Sequence, residues 1–325
     1  MKKITLGLLA LLSLSLVEAR ETVEYAKTPS PPDFEPWFTG PLLTPSAQCV
    51  PVGHVNFEPY IYWFQVRNRY DQNWHSHSIP HFNTLLSQNF IQAGIYNKLE
   101  LDLTPQFSYQ KSQGQHMWRF LDFPFALAIQ LYSDPNNRHV PKLKLRLHAR
   151  VPCGKYDRLN PEKKGTDVGG AGSWYPSVGL VFSELFHTSG VHYLSTRVFV
   201  NYGFGTPAHV HGPNIYGGDK KTRGTAYAGN FLEVSAAMEY SFTQEWVFAM
   251  DLFYAHVNKS RFTGKKGEPG TPPSKAPSSE QFSVAPALEY NFSSDIGIIA
   301  GPWIVFAGRN AAQFVSWIAA VNFYF

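Results

Sequence analysis

Residues 313–325 read QFVSWIAAVNFYF and alternate with a period of two. In an extended strand Val315, Trp317, Ala319, Val321, Phe323 and Phe325 share one face. Phe314, Ser316, Ile318, Ala320, Asn322 and Tyr324 share the other, which is mixed and smaller. At the open edge of a soluble sheet, such an apolar strand is a template for aggregation. In a closed transmembrane barrel it has a neighbour on each side and one face meets lipid. The competing reading, the buried last strand of a soluble β-sandwich, has to be weighed against the rest of the chain.

The N-terminus favours the barrel. Lys2 and Lys3 precede an apolar run, residues 4–17, that is too short to span a bilayer, and Val17-Glu18-Ala19 fits a small-x-small cleavage site. Residues 1–19 therefore read as a bacterial-type signal peptide, with the mature chain beginning at Arg20. Loss of two lysines and one glutamate with it lowers the formal charge from +4 to +3. So small a charge, with no basic run interleaved with stacking aromatics, argues against a nucleic-acid partner. Aromatics make up 15% of residues and charged groups 16%, yet mean hydropathy is −0.22 and no later stretch reaches 18 apolar residues. Helical membrane proteins are excluded on that ground. What fits is an all-β, closed antiparallel transmembrane β-barrel with a wet lumen.

Pro29, Pro31, Pro32, Pro36, Pro41, Pro45 and Pro51 crowd residues 20–53, which read as an irregular periplasmic or lumenal segment. The barrel is expected over residues 54–325 as about twelve strands: 54–66, 87–96, 99–110, 122–132, 141–151, 173–186, 192–205, 229–242, 246–258, 281–292, 296–308 and 313–325. The connections alternate long and short, with long segments at 67–86, 111–121, 152–172, 206–228 and 259–280. Long external loops and short periplasmic turns with an even strand number are the rule for outer-membrane barrels. Aromatics near the short turns (Tyr96, Phe186, Tyr193, Phe242, Trp246, Phe292, Phe325) suggest one interfacial girdle, and Trp63, Trp118, Trp174, Tyr202, Tyr254 and Phe282 the other. Pro59, Pro105, Pro124, Pro176, Pro286 and Pro302 fall inside proposed strands and oppose the reading, since each removes a ladder donor.

The purest alternation outside the last strand is in 141–151. Lys142, Lys144, Arg146, His148 and Arg150 share one face and Leu143, Leu145, Leu147, Ala149 and Val151 the other. A Lys or Arg at the midplane of a barrel's lipid face costs about 2–4 kcal/mol, so this basic row is expected to face the lumen. Glu100, Asp102, Asp122, Glu233, Glu239, Asp251 and Glu289 have inward parity elsewhere. Either they neutralise the row, or the row forms a positive wall that orients small anionic solutes. Full neutralisation is expected to need acids on the adjacent strands, which offer only Asp122 and Glu184.

Other motifs carry less. In Trp74-His75-Ser76-His77-Ser78 the serines and histidines alternate, which separates any nucleophile from its base. His75/His77, His209/His211 and His116 lie in expected external loops but lack a full ligand-spacing motif. Gly169-Gly170-Ala171-Gly172 precedes a strand, not a helix, and reads as a flexible loop. Cys49 and Cys153 fall at opposite ends of the expected barrel, and pairing them needs the N-terminal segment to thread the lumen. No cofactor, metal or catalytic residue is expected.

Two stretches carry a family resemblance: Y-S-F-T-Q-E-W-V-F-A-M-D-L-F-Y at 240–254, and G-I-I-A-G-P-W from Gly297 onward through Gly308, Arg309 and Asn310 to Phe325. They resemble the outer-membrane protein family named for the meta-pathway of phenol degradation. Nearly the whole mature chain is similar to uncharacterised barrels of chlamydia-like and legionella-type bacteria. The resemblance implies a barrel that lets small molecules through; with the basic row, the expected function is an outer-membrane channel for passive or facilitated diffusion of small solutes, anionic or aromatic. The alternatives are an outer-membrane lipid-modifying enzyme, with His75, Ser76, His77 and Ser78 its visible candidates, and a non-conducting surface protein that binds a partner through its loops. The ending, with Phe323 and Phe325, resembles the terminal-aromatic assembly signal of such barrels, which implies handling by the barrel assembly machinery. Outer-membrane lipid and small-molecule solutes are the other expected partners.

Deleting Phe325 is therefore expected to lower the outer-membrane level of the protein severalfold, with accumulation and degradation in the periplasm. Quantitative blotting of fractionated cells measures it, and wild-type outer-membrane levels would refute the signal.

Overall fold

The computed structural model describes residues 37–134, 137, 139–269 and 276–325. The expected signal peptide and residues 20–36 lie outside them. In chain order the strands are β1 (Val55–Tyr70), β2 (Ser76–Tyr96), β3 (Leu99–Leu103), β4 (Gln106–Ser112), β5 (Gln115–Phe120), β6 (Phe123–Tyr132), β7 (Lys142–Val151), β8 (Ser177–Ser189), β9 (His192–Gly203), β10 (Pro207–His211), β11 (Arg223–Tyr227), β12 (Phe231–Ser241), β13 (Trp246–Val257), β14 (Arg261–Lys265), β15 (Ser279–Asn291), β16 (Ile296–Arg309) and β17 (Ala312–Tyr324). One sheet runs antiparallel from β1 through β17, β16, β15, β13, β12, β9, β8, β7 and β6 to β3 and β2, and β2 pairs back onto β1. The sheet is thereby closed. β3 and β4 are one wall strand interrupted at Thr104 and Pro105, and β5 and β6 another, so the barrel has twelve strands.

Period two sorts the two faces as lipid demands. Along β17, Val315, Trp317 and Ala319 are exposed while Ser316, Ile318 and Ala320 are buried. Along β3 and β4, Glu100, Asp102, Gln106, Ser108 and Gln110 are all buried, so the inward parity survives the break. Exposed aromatics gather at the short-turn end at Tyr96, Phe186, Phe242, Trp246, Phe292 and Phe325.

Two expected loops prove much shorter. β1 and β2 extend well beyond 66 and below 87, and the segment 67–86 contracts to a turn at 71–75. Asp71 organises that turn: its Oδ1 accepts from the backbone N–H of Asn73 and His75, and its Oδ2 lies 2.9 Å from His77 Nε2. The bond from His77 holds the Asp71 carboxyl below the usual range. Segment 111–121 likewise becomes a tight hairpin, with Gln113 and Gly114 at positive φ joining β4 to β5. Polar, His- and Asn-rich strand extensions beyond the membrane lack the hydrophobic alternation by which a strand is recognised, so they read as loop.

The strand prolines sit where the ladder makes no demand on them. Pro105 occupies the break between β3 and β4, Pro124 is the second residue of β6, and Pro176 precedes β8. Pairing of β1 with β17 skips from Phe57 to Tyr60, past Pro59. Pairing of β15 with β16 skips from Val284–Ile304 to Leu288–Ala300, and Pro286 and Pro302 fall in that gap.

Three connections at the other end are long. Segments 204–230 and 258–278 contribute β10, β11 and β14 to a separate three-stranded antiparallel sheet. Segment 152–176 turns inward: Asp122 accepts from the N–H of Gly154 and Ala171, and Gln110 donates to the carbonyl of Val168. Cys49 is buried and Cys153 exposed, and both are free thiols.

The orientation is open to test. In a Cys153→Ser background, Lys266→Cys on an external loop is expected to react with a membrane-impermeant maleimide on intact cells. Lys98→Cys in the turn between β2 and β3 should react only after the outer membrane is opened. The reverse pattern would invert the barrel.

Candidate functional site: the lumen and its N-terminal insert

Residues 37–53 lie within the barrel wall instead of adding to it. Irregular backbone at membrane depth is tolerated only where protein satisfies its N–H and C=O groups. Here inward-facing side chains do so. The Asn291 amide donates to the carbonyl of Trp37, Thr39 N–H donates to Glu289 Oε2 (2.8 Å), and the Thr39 hydroxyl donates to Asn291. Further along, Asp251 accepts from Leu43 N–H (3.2 Å), Thr44 N–H (2.9 Å) and the Thr44 hydroxyl (2.6 Å). The segment then crosses to the opposite wall. Gln130 accepts from Cys49 N–H and donates to Ala47 C=O, Glu100 accepts from Val50 N–H (2.6 Å), and Lys144 donates to Gln48 C=O. Prolines at 41, 45 and 51 supply no N–H, which reduces the donors needing partners. A parallel bridge of Val52 to Gly94 brings the chain to β1. A Cβ on Gly94 would stand 2.0 Å from the Pro51 carbonyl oxygen, so only glycine admits this approach.

Leu42 reaches an apolar cluster inside the barrel with Tyr60, Tyr62, Ile299 and Ile318. Beyond it the rings of Tyr62 and Phe64 stack at 5.7 Å, and Phe64, Trp303 and Phe314 meet edge to face at 5.0–5.9 Å. One side of the lumen thus combines this aromatic cluster with the acids Asp251 and Glu289; the other carries the basic row.

The basic row occupies that charged side, and its members have different surroundings. Lys144 is fully buried, 3.0 Å from Glu100, and Arg146 is 2.6 Å from Asp102. His148 lies 3.3 Å from the Ser177 hydroxyl, and the Arg150 guanidinium stands over the Tyr175 ring at 5.8 Å. Lys142 lines a cavity described below. The expectation that neutralising acids must sit on adjacent strands is corrected: Glu100 and Asp102 are on β3, with β6 between it and β7. The inward residues of β6 at that level are Ala126 and Ala128, both fully buried, and over these short side chains Lys144 and Arg146 reach diagonally across.

A further cation escaped the sequence reading. Arg197 on β9 pairs with Glu239 at 2.8 Å, and a Cβ on Gly40, which has φ +110°, would lie 3.2 Å from its guanidinium. Its signal was present in the alternation Ser195, Arg197, Phe199, Asn201, whose odd members face inward. Glu58 on β1, bonded to the Asn56 amide, was missed for the same reason. Glu58, Lys142, Arg146 and Arg197, with Tyr60 and Phe90, line a cavity of about 650 Å³. Ser133, Asp134 and Ser294, from two of the short turns, also border it, which places it toward that end.

The loop motifs do not converge. The Ser76 hydroxyl donates to Gln313 and His77 faces Asp71, so no serine–imidazole pair forms there. His209 and His211 lie on β10, bonded to Thr225 and near Asp157, and His116 packs on Tyr109. Among the described residues no group of three or more metal-ligating side chains comes together.

No protein-family profile and no curated protein sequence matches the chain. Solved structures do. An outer-membrane channel from Pseudomonas putida F1 superposes with a TM-score of 0.64 at 11% identity, over 86% of this chain and 98% of that one. The NanC porin gives 0.41 at 9% identity over 81% and 98%, and the transport unit of the autotransporter AIDA-I from Escherichia coli 0.45 at 10% over 83% and 90%. The chain has the fold of a bacterial outer-membrane barrel.

Breaking one side of a buried ion pair strands the other charge at a cost of about 3–5 kcal/mol. Lys144→Met is expected to lower the temperature at which the barrel loses its compact mobility on gels, and adding Glu100→Gln should recover most of the loss. Equal stability of Lys144→Met and wild type would remove the pair from the barrel's support.

Proposed function

We propose that the protein is an outer-membrane channel for the diffusion of small solutes, with a weak preference for anions. The carrying observation is the cavity at the short-turn end of the lumen, walled by Lys142, Arg146 and Arg197 beside Glu58, Tyr60 and Phe90. A closed barrel of twelve strands whose inner face is studded with paired charges offers solutes a polar surface and transverse fields. The likeness in fold to the P. putida channel agrees with it. So does the resemblance of 240–254 and of the segment from Gly297 to the meta-pathway family, for which passage of small molecules is implied. The lipid-modifying alternative is weakened by the partners of Ser76 and His77, which leave no activated nucleophile in the 74–78 segment. Handling by the barrel assembly machinery, with Phe323 and Phe325 as the signal, belongs to the same proposal.

The insert narrows whatever path solutes take, and Asp251 holds it with three hydrogen bonds. Purified protein in planar bilayers should show discrete conductance steps, and Asp251→Ala should raise the mean conductance by loosening residues 43–44. Lys142→Glu, at the cavity wall, is expected to move the reversal potential in a salt gradient toward cation preference while gel mobility stays unchanged. Absence of steps from both wild type and Asp251→Ala would overturn the channel reading; an unmoved reversal potential would overturn the anion preference alone.

A further inference from the structure

The external three-stranded sheet has two unlike faces. Ala208, Val210 and Ala226 are buried on one. On the other, register places Pro207, Tyr227 and Arg261 in one row, His209, Thr225 and Thr263 in the next, and His211, Arg223 and Lys265 in the third. Around it, residues 219–223 and 259–268 hold seven cations (Lys220, Lys221, Arg223, Lys259, Arg261, Lys265 and Lys266) against two carboxylates, Asp219 and Glu268. That local excess of +5 exceeds the +4 of the entire chain, so the remainder is slightly acidic.

Both carboxylates are already engaged. Asp219 accepts from the backbone N–H of Lys221 and Glu268 and so ties the two loops together, and Glu268 pairs with Lys221. Among the described residues, no carboxylate lies within ion-pair distance of Lys220, Arg223, Lys259, Arg261, Lys265 or Lys266, and all six are exposed. Like charges crowded on a small rigid sheet repel one another, and that arrangement is relieved by a polyanion. Arg261 is in addition held over the Tyr227 ring at 5.6 Å, which limits the freedom it would lose on binding.

Height in the membrane identifies the polyanion. Lys259 follows the end of β13 by two residues, and Tyr254 of β13 packs on Phe282 at 4.7 Å among the aromatics of the long-loop end. Tyr202 and Phe204, at the end of β9, are exposed three to five residues before Pro207. Exposed aromatics of this kind mark the interface, so Lys259 and Arg261 begin at headgroup level. Arg223 and Lys265 stand four residues further along the sheet, about 13 Å from Arg261. A ladder of cations rising from the interface fits a lipid whose phosphates are spread over a tall sugar headgroup. We propose that this face binds a phosphorylated glycolipid of the outer leaflet.

The test is independent of conductance. Full-length protein in detergent is titrated with bisphosphorylated lipid A in mixed micelles, and with the same lipid stripped of its phosphates. Saturable binding to the phosphorylated lipid is expected, weakened about tenfold or more by phosphate removal or by raising salt to about 0.5 M. The Arg223→Gln/Arg261→Gln/Lys265→Gln variant should lose binding to a similar degree while keeping wild-type heat-dependent gel mobility. Lys265→Gln/Lys266→Gln, at the far end of β14, is measured beside it in case the triple variant disturbs the small sheet, and about threefold weakening is expected. Equal affinity for the two lipids, or unchanged affinity in both variants, would overturn the assignment. So would tighter binding of a soluble sulfated polysaccharide than of lipid A, which would make the face a polysaccharide site.

Discussion

Backbone N–H groups that cannot pair in a ladder must find an acceptor, and in this barrel three carboxylates and the Gln130 amide serve the insert. Residues 37–53 cross the lumen with no sheet or helix of their own and with prolines that prevent either. Glu289, Asp251 and Glu100 accept in turn from Thr39, from Leu43 and Thr44, and from Val50. Each acid satisfies the insert, and Glu100 additionally answers a buried lysine. An anion that serves a cation and a backbone donor together is far less costly to bury than one that serves neither.

Side-chain size then determines which charges can meet. A lumen of twelve strands is wider than side chains alone fill, so the insert shares it, and short side chains leave the space that longer ones cross. Ala126 and Ala128 leave the gap that Lys144 and Arg146 bridge. Ala249, Ala285, Ala287 and Ala320 play the corresponding part on the aromatic side, where they make room for Leu42 against Tyr60 and Tyr62. Large residues at these positions would exclude the insert and separate the pairs, so the alanines matter here as much as the charges do.

The strands were legible because one face meets lipid, which imposes a strict period of two over residues 99–110, 141–151 and 313–325. That signal fades where the strands leave the membrane. There β1, β2, β4 and β5 are carried by hairpin pairing, with His, Asn, Gln and Ser on them, and they read as loops. Inward parity was legible for the basic row and for its acids. The partners within the row were not, because reach across a strand depends on a third residue, such as Ala128, that belongs to neither member of the pair. Arg197 followed the same alternation but stood alone among Ser, Phe and Asn, so no cluster drew attention to it. The order of β10, β11 and β14 depends on pairing between separate loops, which no local pattern encodes.

Net charge was likewise legible only as a total. The barrel separates it into two populations governed by different costs. Inside, where the dielectric is low, Lys144, Arg146 and Arg197 each have a carboxylate within 3.0 Å. Outside, water solvates a cation at little cost, and six of the seven on the external sheet stand without a carboxylate partner among the described residues. Of the two carboxylates nearby, Asp219 accepts from the backbone N–H of Lys221 and Glu268, and Glu268 pairs with Lys221, so both link one loop to the other. One carboxylate is thus taken up by backbone donors and the other by a single lysine, so the cluster keeps its excess of positive charge.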